Sequence, residues 1–269
     1  MKLGFIGGGN MAAAMIGGLL QKGFTPDAIQ VAEPMAERCA WLTREFGVAV
    51  EEIAAETLGA DVIVLAVKPQ QLSALLRDLP PLRPGQLVVS IAAGIRALDI
   101  SRWLGHHPAV VRAMPNTPAL VGAGIAGLYA LPGVSDAQKT QASRILEAVG
   151  GAVWVSDEAQ IDAVTAISGS GPAYVFYFIE ALEQAGIELG LPRETARLLT
   201  LQTFFGAAAL AIKDQSAPAE LRARVTSKGG TTERGILALE ESGVKYAIGL
   251  AARAAAERAK EMGDILGRD

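Results

Sequence analysis

The chain contains very little cysteine and histidine, and each scarcity excludes a class of chemistry. Its 269 residues include one cysteine, Cys39, so no disulfide can form within the chain, and Cys39 is expected to be a small packing residue. The two histidines, His106 and His107, are adjacent and precede a proline in a predicted turn. The sequence therefore offers no Ser–His–Asp set, no histidine base and no cluster of metal ligands.

The sequence also lacks a concentration of positive charge and long uninterrupted apolar runs. The formal net charge is −4 and no basic stripe stands out, which argues against a nucleic-acid partner. No cationic start with an apolar signal core precedes the first strand, and glycines or charges interrupt the apolar runs before membrane-spanning length. We therefore expect a cytoplasmic protein with no membrane partner.

The first half of the sequence alternates short apolar strands with helices. "KLGFIG" predicts a strand, "NMAAAMIGGLLQKG" a helix that ends at Gly23, and "DVIVLAV" a strand buried on both faces. Such alternation is typical of α/β proteins. It predicts a doubly wound, mostly parallel sheet in residues 1–156.

From Asp157 onward the strand signals disappear and the sequence predicts helices. "VFYFIEAL" and "FFGAAALAI" are apolar on more than one face, and one small helical layer cannot bury that much. We therefore predict an all-α domain in residues 157–269 that pairs with a second copy of the chain. A monomer that buries these faces on its first domain is the alternative.

A dinucleotide-binding turn is predicted at the start of the chain. Gly7, Gly9 and Ala12 in "GFIGGGNMA" have the G-x-G-x-x-A spacing, directly after the first strand and opening the first helix. Gly7 permits the tight turn, Gly9 lets a pyrophosphate approach the backbone, and Ala12 keeps the helix close to the sheet. A glycine-rich turn with no ligand is the alternative.

The end of the second strand bears on the type of cofactor. Glu33 stands there in "VAEP", where a carboxylate accepts hydrogen bonds from ribose hydroxyls and repels a 2′-phosphate. No arginine follows immediately, since Arg38 is five residues on. The pattern favours NADH without excluding NADPH, and a solvated strand end without a ligand is the alternative.

Three further segments follow predicted strands, at the edge where ligands bind in such sheets: "LAVKPQ", "SIAAG" and "MPNTPA". Their small residues allow a nicotinamide ribose to lie against the backbone, and Lys68 and Asn116 supply donors. In the helical half, "SGSGPAYV" places Pro172 at a helix first turn, which also suits a simple helix–helix corner.

One polar stretch, "TSKGGTT", interrupts the alanine-rich second half. Its glycines precede Thr231 and Thr232 at a helix start, where free N–H groups and hydroxyls can hold a carboxylate. Oxidising an alcohol or reducing a ketone usually needs a positioned proton carrier, which this chain lacks. An already protonated imine needs mainly orientation and an anion site, so imine reduction fits the sequence better.

The motifs together resemble those of one family. "GFIGGGNMA", "AVKPQ", "MPNTPALVGAG", "SGSGPAYV" and "VTSKGGTT" occur in the order found in pyrroline-5-carboxylate reductase, over nearly the whole chain. The resemblance implies a Rossmann-type domain followed by a helical dimerisation domain. It also implies reduction of L-1-pyrroline-5-carboxylate to L-proline, the final step of proline biosynthesis, with NADPH or NADH.

The resemblance also implies which residues bind the two ligands. The residues assigned to the dinucleotide are Gly7, Gly8, Gly9, Asn10, Met11, Ala12, Glu33, Ala66, Val67, Lys68, Pro69, Ala92, Ala93 and, near the nicotinamide, Asn116. The substrate is assigned to Glu158 and to the loop residues Ser227, Gly229, Gly230, Thr231 and Thr232. Ser227 and the backbone of Gly230 and Thr231 would hold the carboxylate, and Thr232 would hydrogen-bond the imine nitrogen and place a proton.

Two departures and two alternatives accompany this resemblance. Lys228 stands where family members commonly have proline, and Glu33 puts strict NADPH dependence in doubt. A β-hydroxyacid dehydrogenase would share the dinucleotide turn, but it relies on a lysine in the long helix after "SGSGPAYV", where this chain has none. A non-catalytic dinucleotide sensor would not need the carboxylate loop.

Overall fold

The computed structural model describes residues 1–268, and its first half is an eight-stranded sheet. The strands are β1 Leu3–Ile6, β2 Ile29–Ala32, β3 Ala49–Glu51, β4 Val62–Leu65, β5 Leu87–Ser90, β6 Val110–Met114, β7 Gly124–Ala130 and β8 Gly150–Trp154. Their order is β3-β2-β1-β4-β5-β6-β7-β8, and only the β6–β7 pair is antiparallel. The predicted mostly parallel sheet is confirmed.

Eleven α-helices accompany the sheet within the described residues. They are α1 Asn10–Gln21, α2 Ala36–Phe46, α3 Pro69–Arg77, α4 Ala97–Trp103, α5 Asp136–Leu146, α6 Gln160–Val164, α7 Gly171–Glu188, α8 Arg193–Asp214, α9 Pro218–Arg224, α10 Thr231–Glu241 and α11 Val244–Leu266. A π-helical turn, Thr165–Gly169, continues α6. Local sequence sets several starts: Pro69 and Pro172 lie in first turns, and Ser135 forms a capping box with Gln138.

The core lies on both faces of the sheet because alternate strand residues point to opposite sides. One face buries Leu3 and Phe5 of β1 with residues of α1, α2 and α5. The other buries Ile6 with residues of α3 and α4. Strands covered on both faces need continuous apolar runs, which explains "VIVL" in β4. The doubly wound prediction is therefore also confirmed.

The chain divides into two compact units, one comprising residues 1–170 with residues from 253 onward, and the other Gly171–Ala252. The predicted boundary between residues 156 and 157 marks where strands give way to helices, since β8 ends at Trp154. The first unit extends further because α6 packs against β6 and β7. Gly127 of β7 leaves the space that Val164 of α6 fills, since a Cβ on that glycine would lie 2.7 Å from the valine side chain.

The second unit leaves many large apolar side chains exposed. In α7 and α8, Phe176, Tyr177, Phe205 and Ile212 are each at least 64% exposed. By length and composition α8 could span a membrane, with a mean hydropathy of 1.3 in its most apolar window. The sequence analysis expected glycines or charges to interrupt the apolar runs before that length, but Gly206 lies inside this helix and does not end it. The same exposed faces suit a protein partner.

Candidate active site

The sheet brings the segments assigned to the dinucleotide to one edge. Because β1, β4, β5 and β6 are neighbouring parallel strands, the residues that follow Ile6, Leu65, Ser90 and Met114 leave the sheet at the same carboxyl edge. The backbone joins these exits: the Ala66 N–H donates to Ile6 O at 2.8 Å, and the Ile91 N–H donates to Leu65 O at 3.0 Å. In open α/β sheets this edge is where ligands bind.

The turn after β1 has the geometry that its glycine spacing predicts. Gly7 has φ +102°, and a Cβ there would lie 2.6 Å from the carbonyl oxygen of Ala66, so only glycine fits. Gly9 has an ordinary φ of −64°, yet no heavy atom lies within 4 Å of the position its Cβ would take. Ala12 is 1% exposed and packs into the core. The open side of Gly9 is therefore available to a ligand.

A cleft of about 600 Å³ runs along this edge. Its lining includes Gly7, Gly9, Glu33, Ala66, Val67 and Lys68. Its volume lies in the range of small-molecule sites. Helix α1 begins at the boundary of this cleft, directly after its N-cap residue Gly9. The helix has neither a side-chain cap nor an acidic residue in its first turn, so the N–H groups of that turn are free for an anion. The residues present thus fit a dinucleotide, with the pyrophosphate at the start of α1.

Glu33 is built into this cleft and is not a solvated strand end. It is 8% exposed, and its Oε2 accepts a hydrogen bond from the Gly8 N–H at 2.9 Å. Its Oε1 accepts one from the Met35 N–H at 3.1 Å. The carboxylate therefore braces the glycine turn, and each oxygen keeps a second lone pair that a ribose hydroxyl could use.

Sequence reasoning gave Arg38 no role, and the structure places it beside the same turn. Its Nε donates to the Gly8 carbonyl at 2.6 Å, and its guanidinium lies 4.2 Å from the centre of the Trp41 ring. Arg38 lines a neighbouring hollow together with Gly9 and Glu33. A cation thus stands next to the carboxylate that was expected to repel a 2′-phosphate. Its position in the first turn of α2, five residues after Glu33, was the available signal.

Asn116 joins two of the motifs. It is 9% exposed, its Oδ1 accepts from the Ile125 N–H at 2.9 Å, and its Nδ2 lies 3.3 Å from both the carbonyl and the hydroxyl of Ser168. The segments "MPNTPA" and "SGSGPAYV" are therefore held together by one side-chain amide. Lys68, the other predicted donor, is exposed at the start of α3.

Glu158 has partners within the first unit. Its Oε1 accepts from the Ala97 N–H at 2.7 Å and lies 3.3 Å from the guanidinium of Arg112, which is 3% exposed. Asp162 contacts the same guanidinium at 3.1 Å. Glu158 therefore balances a buried cation, and its assignment to the substrate stays a prediction.

The predicted substrate loop lies in the second unit, between α9 and α10. Gly229 adopts a left-handed conformation with φ +75°, and the Gly230 N–H donates to the Ser227 carbonyl at 3.0 Å. Helix α10 begins at Thr231 without a side-chain cap, so its first N–H groups lack helical partners. Thr231 and Thr232 are exposed. The loop thus presents backbone donors and hydroxyls together, as a carboxylate site requires.

Glu233 is a second residue that sequence reasoning did not consider. Its Oε2 accepts from the Gly229 N–H at 2.7 Å, so that donor is already used inside the loop. The N–H groups at the start of α10 remain as the backbone donors. Lys228 is exposed and forms no ion pair within residues 1–268, and the structure gives no further account of it.

The cysteine and the histidines lie in structural positions. Cys39 is half-buried with its Sγ 2.9 Å from the Glu33 carbonyl, and burial raises the pKa of its thiol. His106 sits in a turn with φ +66°, and the ring of His107 is buried with its Nε2 2.8 Å from the Gln86 carbonyl. Neither histidine lines the cleft that holds Gly9 and Glu33.

Comparison with known protein families identifies both halves of the chain. Residues 158–262 match the family model described as pyrroline-5-carboxylate reductase dimerisation. Residues 2–94 match the model described as NADP oxidoreductase, coenzyme F420-dependent. The two matches cover the helical part of the chain and the start of the sheet.

Individual relatives match over nearly the full length. The pyrroline-5-carboxylate reductase of Pseudomonas aeruginosa is 51% identical over 269 residues, covering 99% of this chain and 98% of that protein. The solved structure of the reductase from Coxiella burnetii has a TM-score of 0.93 and 43% identity, covering 97% of this chain and 98% of that chain. The Plasmodium falciparum enzyme, solved with NADP bound, has a TM-score of 0.87 and 32% identity, covering 98% of each chain. This chain belongs to the pyrroline-5-carboxylate reductase family.

Proposed function

We propose that the protein reduces the imine of L-1-pyrroline-5-carboxylate to L-proline with hydride from NADPH or NADH, as the final step of proline biosynthesis. The observation that carries the proposal is a pair of helix starts without side-chain caps in one chain of this family. One is the open side of Gly9 at the start of α1, and the other is the uncapped start of α10 at Thr231. The first suits a pyrophosphate and the second suits a carboxylate.

The residues of the first unit would bind and orient the dinucleotide. Gly7 and Gly9 admit the pyrophosphate against the backbone, Glu33 braces the turn and faces the adenosine ribose, and Arg38 is the nearest cation for a 2′-phosphate. The bound reduced cofactor supplies the hydride. Ala66 after β4 lines the cleft and leaves room there for the nicotinamide half, whereas Ala92 after β5 is buried and would contact it only through its backbone.

The loop of the second unit would hold the substrate. The Ser227 hydroxyl and the backbone of Gly230 and Thr231 are proposed to bind the substrate carboxylate, with the dipole of α10 adding to the attraction. The Gly230 N–H donates to the Ser227 carbonyl in this structure and would exchange that bond for one to the substrate. The neutral imine nitrogen would accept a hydrogen bond from the Thr232 hydroxyl, which would place or relay the proton that converts it to an iminium ion. No histidine base is needed, since the iminium ion carries the charge that makes its carbon electrophilic.

Two other functions are less well supported. A β-hydroxyacid dehydrogenase would need a lysine in α7, and Gly171–Glu188 contains none. If the protein only sensed a dinucleotide, it would not need the carboxylate site proposed for the loop Ser227–Thr232. The curated relatives that match nearly the whole chain are named as reductases.

We also propose that the protein works as a cytoplasmic homodimer. The apolar faces of α7 and α8, exposed at Tyr177, Phe205 and Ile212, lie within the segment that matches the dimerisation family. Burying such faces against a second copy would remove them from water, with a favourable free energy of about 25 cal/mol per Å² of apolar surface. The same burial would account for the apolar composition of α8 without a membrane.

The proposed activity predicts a direct result. Purified protein mixed with pyrroline-5-carboxylate should oxidise NADPH or NADH, followed by the loss of absorbance of the reduced nicotinamide, and proline should appear in equal amount. Incubation with the dinucleotide alone serves as the control. Binding of dinucleotide without proline formation would favour the sensor function instead.

Replacing Glu33 with serine should change the choice between the two dinucleotides. The substitution removes a charge that repels a 2′-phosphate and an acceptor for ribose hydroxyls, while Arg38 stays in place. We expect the ratio of the NADH Kd to the NADPH Kd to rise about tenfold, equivalent to about 1.4 kcal/mol. Because Glu33 also braces Gly8, both Kd values should rise somewhat.

Fluorescence titration of the reduced dinucleotides measures this ratio, and Glu45→Ser, a change at an exposed carboxylate of α2 outside the cleft and the hollow, is the matched control. An unchanged ratio would remove Glu33 from the account of cofactor choice.

A further inference from the structure

The C-terminal turns of α11 pack against the loop that follows β5. This loop, residues 91–96, contains Ala92 and Ala93, both assigned to the dinucleotide, and it lies at the carboxyl edge of the sheet. Residues from 253 onward belong to the same compact unit as the sheet, although α11 itself begins at Val244 in the other unit. The far end of the sequence thus contributes to the surroundings of the proposed cofactor site.

Two glycines make this contact unusually close. Gly94 has φ +77°, and a Cβ there would lie 2.9 Å from the Cβ of Met262. A Cβ on Gly263 would lie 3.0 Å from the Gly94 carbonyl oxygen. Gly263 is buried inside a helix, where glycine is normally unfavourable. Its lack of a side chain allows α11 to lie this close to the loop.

Polar and apolar contacts on either side of the two glycines also hold the end of α11 against the loop and α4. The Arg96 guanidinium, at the end of the loop, pairs with the carboxylate of Asp264, and this hydrogen bond lowers the pKa of that carboxyl. The Arg102 guanidinium donates to the Gly267 carbonyl at 2.6 Å. Leu266 packs on the core cluster that contains Ile95.

Backbone hydrogen bonds from the sheet reach only the start of the loop. The Ile91 N–H donates to Leu65 O at 3.0 Å, and the Ala92 N–H reaches the Ser90 hydroxyl at 3.3 Å. In the second half, Ile95 is buried in the core on one side, while Gly94 and Arg96 contact Met262, Gly263 and Asp264 on the other. The core and α11 together therefore set the path of the loop at its second half.

We propose that the C-terminal end of α11 is a positioning element for the dinucleotide, with Gly263 and Asp264 setting the path of the loop 91–96. Neither residue touches the cofactor in this proposal; they act through Gly94 and Arg96. The inference rests on the proposed dinucleotide site but does not depend on which substrate is reduced.

Gly263→Ala tests the proposal, because it adds one methyl group against the loop while improving the helix. Alanine is the better helix former, so a purely structural view predicts an equal or higher melting temperature and unchanged binding. We expect the Kd for NADPH, and separately for NADH, to rise about fivefold, within the range that packing changes produce at a distance. Gly235→Ala in α10, where a Cβ meets no heavy atom within 4 Å, is the matched control.

A second pair of variants tests the ion pair without adding volume. Asp264→Asn should raise the Kd about threefold, within the same range, and Asp264→Glu should restore part of the loss because it keeps the charge for Arg96. Glu261→Gln removes the same charge from the same helix, where Glu261 pairs only with Arg258 at 2.8 Å, and should leave the Kd unchanged.

All titrations follow dinucleotide fluorescence without imine substrate, with melting curves beside them. Wild-type Kd values in both Gly263→Ala and Asp264→Asn would overturn the proposal, as would equal losses in the two control variants. A protein that binds dinucleotide but fails to reduce pyrroline-5-carboxylate would contradict the proposed function and leave this test intact.

Discussion

Thr232→Ala should slow the reduction of pyrroline-5-carboxylate about 100-fold, the lower end of what a positioned proton donor contributes. The Thr232 hydroxyl is the group proposed to hydrogen-bond the imine nitrogen as the amine forms. It sits at the second residue of α10, beside N–H groups that would keep the substrate carboxylate in place. We therefore expect kcat to fall while the Kd for NADPH stays unchanged.

Single-turnover kinetics with saturating dinucleotide measure this effect, and fluorescence titration measures the Kd. Thr232→Ser keeps the hydroxyl and should retain most of the rate, whereas Thr226→Ala is a control, since that hydroxyl donates to the Arg222 carbonyl at 2.6 Å. Normal turnover by Thr232→Ala would show that the proton comes from another group or from water.

Gly9→Val should weaken dinucleotide binding about 100-fold, equivalent to about 2.7 kcal/mol, because it would fill the side on which the pyrophosphate is proposed to lie. The fold should tolerate the change. Gly9 has φ −64° and ψ −175°, which valine readily adopts, and no heavy atom lies within 4 Å of its Cβ position. A valine at the helix start costs about 1 kcal/mol of stability.

Two other glycines provide the comparison. Gly59→Val also places its side chain in open space, before β4, and should leave binding unchanged. Gly7→Ala should instead destabilise the fold itself, since Gly7 has φ +102° and its Cβ would lie 2.6 Å from the Ala66 carbonyl oxygen. Wild-type affinity in Gly9→Val would mean that the cofactor does not approach the start of α1.

Much of the fold could be predicted because the signals are local. Apolar runs such as "VIVL" and helix starts such as Pro69 depend on residues close in sequence, and the observed β4 and α3 follow them. The glycine spacing of the turn after β1 was equally informative, because backbone conformation at Gly7 is a property of the residue itself.

Roles that depend on distant contacts could not be predicted in this way. Glu33 was correctly placed at the end of β2, but only the fold shows that its carboxylate holds the Gly8 N–H, 25 residues away in sequence. Arg38 was given no role and Glu233 was not considered, because an arginine or a glutamate on a helix is usually a solvated side chain.

The sequence by itself determined the class of the fold, the glycine turn after β1 and the family, and it predicted the carboxylate loop at Ser227–Thr232. Each of these depends on residue types at fixed short spacings, and such spacings are present in the sequence independently of any tertiary contact. Only the tertiary structure decided that Glu33 braces the turn, that Glu158 balances the buried Arg112, and that Gly263 and Asp264 pack on the loop after β5. Those contacts join residues up to 169 positions apart in sequence, and the packing of the whole unit, not any local propensity, brings them together.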